Sequence, residues 1–272
     1  MKKIILAVSL SFVSTLFLIN AEATEPNKRN IVVTETNPVA KDKTRQHIQR
    51  LYNQIDFGKG EQLDVTVFEK AMTGYLNLKA AGKLNQDKEI LTVADFSQSS
   101  TKNRLWVIDL DAKKVLYNTY VAHGQGSGGE FATRFSNVDG THASSMGFFV
   151  TGNTYVGQHG NSLRLNGMDK GYNDAALRRA IVIHAADYVN KNIIKSQGRL
   201  GRSWGCPALA PELAQPIINK IKDGTCLFIY TPDKSYQQTA VWLNKKPVVG
   251  EDYFAPQPLA DNETTAPDQH QL

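Results

Sequence analysis

The sequence predicts a mainly β protein with flanking helices, preceded by a helical N-terminal segment. Two patterns support this prediction. Apolar residues recur at helical spacing over residues 41–82, and from residue 88 onward they form short β-type runs separated by polar turns. Residues 24–272 are long enough for one large core, or for one core with an accessory segment.

The first 23 residues have the pattern of a secretory signal peptide. Lys2 and Lys3 precede an apolar run that ends at Ile19, and Ala21-Glu22-Ala23 follows as a small-x-small cleavage site. An uncleaved N-terminal anchor is the alternative, whereas the lack of a cysteine after the run argues against a lipid anchor. We therefore expect an exported protein of the periplasm or cell envelope, with no stable membrane span after cleavage.

The charge of the chain is mildly basic. The formal net charge is +5, and removal of residues 1–23 subtracts two lysines and one glutamate, which leaves +4. This balance suits an anionic wall or envelope, but no basic cluster typical of nucleic-acid binding is present. We expect no nucleic-acid partner, and the sequence leaves the oligomeric state open.

A polar linker and a helical segment are predicted before the β-rich part. Residues 24–40 are polar and form the predicted linker, and residues 41–86 form the helical N-terminal segment. Within it, helices are expected over 41–56 and 64–82, the second with Asp64 as N-cap and Gly82 as its stop. The sequence leaves open whether this segment is a separate module, a lid or part of the core.

Residues 87–245 are predicted to form the main domain, and residues 246–272, poor in large apolar residues, a disordered tail. The first three strands have short connections, which favour antiparallel pairing. The expected strands are 90–96, 104–110, 115–121, 146–151, 162–165, 180–184 and 225–230. Helices are expected at 173–179 and 211–222, an irregular loop at 123–145, and a short strand or helix at 241–243.

The two cysteines lie in different sequence surroundings. Cys226 belongs to an apolar strand, where a small buried thiol packs well, whereas Cys206 lies in a polar loop between Gly205 and Pro207. His184 ends another apolar strand, and an imidazole titrates in the range needed to activate a thiol. This pair predicts thiolate chemistry. A disulfide, the default for two cysteines in an exported protein, is the alternative.

Several stretches resemble one known family. Ser145-x-Gly147-Phe148, Ile183-His184 and Ser203-Trp204-Gly205-Cys206-Pro207 are similar to the murein L,D-transpeptidase catalytic domain, which has the YkuD-type fold. The resemblance extends over residues 88–232. It implies a β-sandwich-like fold, peptidoglycan stem peptides as partners and no cofactor. Further stretches of one branch of the family are Ser127-Gly128-Gly129, Phe135-Ser136-Asn137, Ser162–Leu165 and Gly201–Pro207.

The resemblance also implies the roles of the catalytic residues. Cys206 would be the nucleophile, His184 the base, and the carbonyl of Ala185 the group that orients the imidazole. The backbone N–H groups of Gly205 and Cys206 are the expected oxyanion donors, because glycine lets the chain approach the substrate closely. The thiolate would attack the L-centre carbonyl of a tetrapeptide stem, release D-alanine and pass the acyl group to an amine of a second stem.

Six side chains are expected to contact the substrate, and four of them also have a plain structural alternative. Arg202 suits binding of a stem carboxylate, lowering of the cysteine pKa, or a surface salt bridge. His159 suits the cleft or a loop without a role, Tyr155 the cleft wall or the core, and Arg164 the cleft or solvent. His123 and His142 are given no role. The expected set is Arg202, Ser203, Trp204, His159, Tyr155 and Arg164.

Three departures from the family pattern keep other functions open. Trp204 replaces a histidine of better-known members, Ala208 replaces an asparagine or arginine, and Ala185 replaces a glycine or small polar residue. These changes affect donor and acceptor recognition more than the nucleophile. The alternatives are an L,D-carboxypeptidase, a catalytically silent wall-binding protein, a cysteine peptidase of another fold, and a zinc hydrolase built on His184, Asp187 and a third histidine.

Overall fold

The computed structural model of the chain describes residues 31–32, 38–245 and 247–249. The expected signal peptide, most of the expected linker and most of the expected tail lie outside the described residues. Within the range expected for the linker, Ile31–Val32 form a strand and the first helix begins at Pro38.

The described residues contain ten strands, six α-helices and one 3₁₀ turn, Gln125–Ser127. The strands are β1 Ile31–Val32, β2 Ile90–Asp95, β3 Leu105–Asp109, β4 Lys114–Thr119, β5 Gly147–Gly157, β6 Gly160–Gly167, β7 Val182–Ala185, β8 Ala208–Leu209, β9 Cys226–Tyr230 and β10 Val248–Val249. The helices are α1 Pro38–Gln54, α2 Val65–Ala80, α3 Lys191–Gln197, α4 Pro211–Ile221, α5 Lys234–Thr239 and α6 Val241–Asn244. The mainly β fold class with flanking helices is therefore confirmed.

Eight of the strands form one sheet in the order β4-β3-β2-β9-β5-β6-β7-β8, and β1 pairs separately with β10. The first three strands of this sheet pair antiparallel, as their short connections predicted. Only β2–β9 and β7–β8 run parallel within the sheet. Register shifts in β3–β4 and β5–β6 mark bulges, which increase the local twist of a sheet.

Each face of the sheet covers its own hydrophobic cluster, because side chains alternate along a strand. In β2, Leu91 and Val93 join the cluster that α1 and α2 complete, whereas Ile90 and Ala94 face the cluster beneath α4. The helical segment before residue 87 therefore packs on the same core as the strands. The sequence left open whether the segment is a separate module, a lid or part of the core, and this packing supports the third alternative.

Helix α2 begins and ends where its sequence predicted. The Asp64 carboxylate accepts hydrogen bonds from the N–H groups of Thr66 and Val67, at 2.8 and 3.1 Å, which satisfies two donors of the first turn. At the other end Gly82 has a φ of +63°, a conformation that favours glycine.

One predicted helix is wrong and two were not predicted. Residues 172–180 form consecutive turns, because Asn173 directs its side chain to the carbonyls of Met146 and Phe148, so that it ties this segment to β5. Helices α3 and α5 are seven and six residues long. Helices this short give little apolar periodicity in a sequence.

The close packing of α2 on the sheet gives a test of this arrangement. A Cβ atom at Gly74 would lie 2.0 Å from the ring of Phe148, which is fully buried and stacks on Phe228. We expect Gly74→Ala to lower the free energy of unfolding by about 1–3 kcal/mol in urea denaturation, because overpacking outweighs the better helix propensity of alanine.

Gly129→Ala is the matched control, because a Cβ atom there meets nothing within 4 Å. It should unfold at the urea concentration of the wild type. A Gly74→Ala variant as stable as the wild type would contradict the packing of the helical segment on the sheet.

Candidate active site

The pairing of β7 with β8 places the two predicted catalytic residues on, or directly next to, neighbouring strands. His184 on β7 pairs with Ala208 on β8, and Cys206 lies two residues before Ala208. The N–H of Val182, two residues before His184, donates to the Cys206 sulfur at 3.5 Å. Residues two apart in a strand are separated by about 7 Å, so the thiol lies beside the part of β7 that carries the imidazole.

The thiol of Cys206 is half-buried against the end of β7. Its S–H donates to the carbonyl of Ala180 at 3.7 Å, and Ala180 has a φ of +52°, which is costly for a residue other than glycine. Both cysteines are free thiols, and Cys226 is buried in β9. Only Cys206 is therefore open to a reaction partner.

The surroundings of Cys206 shift the pKa of its thiol in opposite directions. Burial, the larger effect, raises the pKa of the thiol, whereas the N–H of Val182 and the positive charge of Arg179 lower it. A base that removes the proton during reaction would therefore be needed near neutral pH.

His184 is buried and its ring orientation is fixed. Its Nδ1 lies 2.8 Å from the carbonyl oxygen of Ala185, the contact that the resemblance led us to expect. Because a carbonyl can only accept, Nδ1 carries the proton and Nε2 is left as the basic nitrogen. Burial, with a smaller effect from His159, lowers the pKa of His184 despite the opposing bond to Ala185. The imidazole is thus neutral at pH 7.

His159 lies over the ring of His184. It is exposed at the turn between β5 and β6, and the two rings stack with centroids 4.4 Å apart and planes 26° apart. Of the two interpretations of His159, this contact favours the cleft.

Tyr155 and Arg164 lie on the face of the sheet that carries His184. In register, Tyr155 pairs with Ser162 and Arg164 with Val182, and cross-strand partners and alternate residues share a face. The Arg164 guanidinium covers the half-buried Tyr155 ring at 4.4 Å. The two side chains therefore form a cation–π pair on the same side of the sheet as the imidazole.

Ser203 and Gly205 are hydrogen-bonded to each other within the turn that carries Cys206. The Ser203 hydroxyl donates to the carbonyl of Cys206 at 2.6 Å and accepts from the N–H of Gly205 at 3.1 Å, and Ser203 is buried. The Ser203 hydroxyl thus stabilises the turn that holds the thiol, and the N–H of Gly205 is occupied within the same turn. The expected contacts of these two residues with the substrate and the oxyanion stay predictions.

Trp204 and Arg202 border the same loop. The Trp204 side chain is 72% exposed, and its ring stacks on that of His142 with centroids 4.8 Å apart and planes 5° apart. Arg202 is half-buried and donates from Nη1 to the carbonyl of Gly128 at 2.8 Å. No salt bridge of Arg202 occurs among the ion pairs of residues 38–245, so its surface salt-bridge alternative finds no support.

Three residues near the site were missed or given no role from the sequence. Arg179 is the cation whose charge acts on Cys206, His142 is the stacking partner of Trp204, and His123 is buried against Arg104. Burial and the Arg104 charge lower the pKa of His123 to about 3. The only sequence signal for Arg179 was its place in the chain immediately before the strand that carries His184.

Within residues 31–32, 38–245 and 247–249, no group of three or more His, Cys, Asp or Glu residues could hold a metal ion. His184 stacks on His159 and directs Nδ1 to a carbonyl, which is not the arrangement of a zinc ligand set with Asp187. The zinc-hydrolase alternative therefore has no geometric support.

The sequence matches the profile of the L,D-transpeptidase catalytic domain over residues 59–230. Solved structures similar to this chain include L,D-transpeptidases from Mycobacterium smegmatis (16% identity, TM-score 0.32) and Stackebrandtia nassauensis (14% identity, TM-score 0.32). The alignments cover 53% and 76% of this chain, and 59% and 98% of those chains, respectively.

L,D-transpeptidase 3 from Mycobacterium tuberculosis is similar at 12% identity and a TM-score of 0.33, with 53% of this chain and 62% of that chain covered. This chain thus spans less than two thirds of the length of the first of these solved structures, and a comparison with curated proteins finds no match. Identities and TM-scores this low add no argument, so the assignment rests on the profile.

The stack of His159 on His184 predicts a change in titration. We expect His159→Ala to raise the pKa of His184 toward its ordinary value of about 6.5, because it exposes the ring to water and removes a like-charged neighbour. A pH titration of the imidazole ¹⁵N resonances measures this directly.

His142→Ala is the matched control, since His142 stacks on Trp204 and not on His184. The His142→Ala substitution should leave the pKa of His184 unchanged. An unchanged pKa of His184 in the His159→Ala variant would show that the two rings do not interact in solution.

Proposed function

The chain belongs to the family of L,D-transpeptidase catalytic domains, and on that premise we propose that it is an exported cysteine enzyme that cross-links peptidoglycan stem peptides. One observation carries the proposal. The β7–β8 pairing sets the Cys206 thiol against the strand that bears His184, and the carbonyl of Ala185 fixes the tautomer of that imidazole. Nucleophilic acyl transfer by a thiol needs a nearby base with a basic nitrogen left free, and this arrangement supports that role for His184.

In the proposed first step, Nε2 of His184 removes the thiol proton and the sulfur attacks the L-centre carbonyl of a tetrapeptide stem. The tetrahedral intermediate then collapses, the peptide bond to the terminal D-alanine breaks, and the imidazolium returns its proton to the leaving amine. The products are free D-alanine and a thioester between Cys206 and the remaining stem.

In the second step, the side-chain amine of another stem attacks the thioester while His184 accepts its proton. The new amide is the cross-link, and the thiol is regenerated. Water in place of the amine would give a shortened stem, which is the L,D-carboxypeptidase reaction. Neither step requires a cofactor.

The oxyanion of the intermediate needs hydrogen-bond donors. The N–H of Gly205 is occupied by the Ser203 hydroxyl, whereas no hydrogen bond from the N–H of Cys206 occurs within residues 38–245. We assign the Cys206 N–H to the oxyanion and Ser203 to the support of the turn.

Several side chains around the thiol suit an anionic peptide. Arg202 uses one nitrogen on Gly128, and guanidinium donors match the geometry of a carboxylate such as those of the stem. The exposed Trp204 ring is a flat apolar surface two residues from the thiol. His159 and the Tyr155–Arg164 pair occupy the opposite border of the cleft in this proposal.

The proposed function also includes export to the periplasm or cell envelope, because peptidoglycan lies outside the cytoplasmic membrane. The expected signal peptide at residues 1–23 and the mild basicity of the remaining chain support it. None of the described helices is long and apolar enough to cross a membrane.

The proposal is tested with purified residues 24–272 and disaccharide-tetrapeptide fragments. We expect a cross-linked dimer that has lost one D-alanine, and a covalent acyl adduct on the protein, both detected by mass spectrometry. Cys206→Ala should abolish both, because no other nucleophile replaces the sulfur.

Cys226→Ala is the matched cysteine control and should retain the dimer, since Cys226 is fully buried in β9 between β2 and β5 and is not part of the loop that carries Cys206. A shortened stem without dimer would assign carboxypeptidase action. If the wild type forms neither product nor adduct but retains peptidoglycan in a pull-down assay, the silent wall-binding alternative replaces the enzyme.

A further inference from the structure

Arg179 is hydrogen-bonded to three groups of the loop at residues 136–145. From Nη1 it donates to the carbonyl of Ser136 and to the hydroxyl of Ser145, both at 2.6 Å, and from Nη2 to the carbonyl of Ala143 at 2.8 Å. Three hydrogen bonds to one half-buried guanidinium define its position closely, because the fork of donors is planar and rigid.

The contacts of Arg179 lead directly to the turn that holds Cys206. A Cβ atom on Gly205 would lie 2.9 Å from the carbonyl oxygen of Ala143, so the backbone at Ala143 packs against the turn without room for a side chain. Arg179 holds that same carbonyl. The next residue along the chain, Ala180, accepts the thiol S–H.

Arg179 is also the charge that favours the ionised thiol. Burial raises the pKa of Cys206, and the Arg179 charge opposes this rise together with the Val182 N–H. The attraction is mutual, since Cys206 and Asp139 both oppose the effect of burial on the guanidinium. Tyr188 also faces the thiol, but its pKa is raised to about 12 by burial and by Cys206, so it stays neutral. His184 is neutral as well, for the reasons given above.

We propose that Arg179 is a positioning residue that stabilises the Cys206 thiolate and holds the 136–145 loop against the catalytic turn. The inference rests on the proposed function only in taking Cys206 as the nucleophile. Arg179 contacts neither the scissile bond nor the leaving group in this proposal. It acts through the sulfur and through the carbonyl of Ala143.

The test is the pH dependence of Cys206 alkylation by iodoacetamide, followed by mass spectrometry of the intact protein. We expect Arg179→Gln to move the alkylation midpoint to higher pH by about one pH unit. At a pH below both midpoints, Arg179→Gln should be alkylated about threefold more slowly than the wild type. The variant has about tenfold less thiolate there, but its more basic sulfur is a better nucleophile, which offsets part of the loss. Arg179→Lys keeps the positive charge, so its alkylation midpoint should lie close to that of the wild type.

Arg178→Gln is the matched control, since Arg178 is the adjacent arginine and its side chain is exposed. It should alkylate like the wild type, and Cys206→Ala gives the background labelling. Each variant is first compared with the wild type by near-ultraviolet circular dichroism. If Arg179→Gln does not fold, Arg179→Lys decides: a wild-type midpoint supports the charge role, and a midpoint raised by a full unit overturns it.

A folded Arg179→Gln variant with the midpoint of the wild type would also overturn the proposal. Alkylation needs no peptidoglycan, so this result is independent of the transpeptidase assay. If the wild type forms no cross-link but the alkylation midpoints shift as expected, only the proposed function is refuted and the role of Arg179 stands.

Discussion

The site depends on how the two-residue strand β8 is held in place. On one side it pairs in parallel with β7, where His184 is opposite Ala208, and on the other Ala122 exchanges two backbone hydrogen bonds with Ala208, at 2.9 and 3.2 Å. A strand this short has few bonds of its own, so pairing on both sides fixes its register. Because Cys206 lies two residues before Ala208, that register determines which backbone groups of β7 meet the sulfur.

The polar loop at residues 123–145 supports the turn that carries the thiol. The Ser144 hydroxyl accepts from the N–H of Gly124 and donates to the carbonyl of Gly205, at 2.9 and 3.0 Å. A Cβ atom on Gly124 would lie 2.7 Å from the Cα of Gly205, so glycine is required for this close approach. Gly124 and Ser144 thus have a structural role in this loop. They hold the nucleophile in position.

The helical N-terminal segment contributes to the rigidity of the sheet behind the site. Helix α2 contacts the face of β5 that carries Phe148, and β5 pairs with β6, which in turn pairs with β7. The family profile begins at residue 59, before α2, which agrees with this packing. A site built on packed strands holds its geometry better than one built on loops alone.

The sequence by itself determined the mainly β fold with flanking helices and the caps of α2, and it predicted which thiol and imidazole form the candidate site. These features depend on local patterns, since apolar periodicity and capping act over a few residues. Only the tertiary structure decided that His159 stacks on His184, that Ser203 bonds within its own turn, and that Arg179 acts on the sulfur. The hydrogen-bond partner of a loop residue depends on which distant segments the fold brings together, and no local pattern records that.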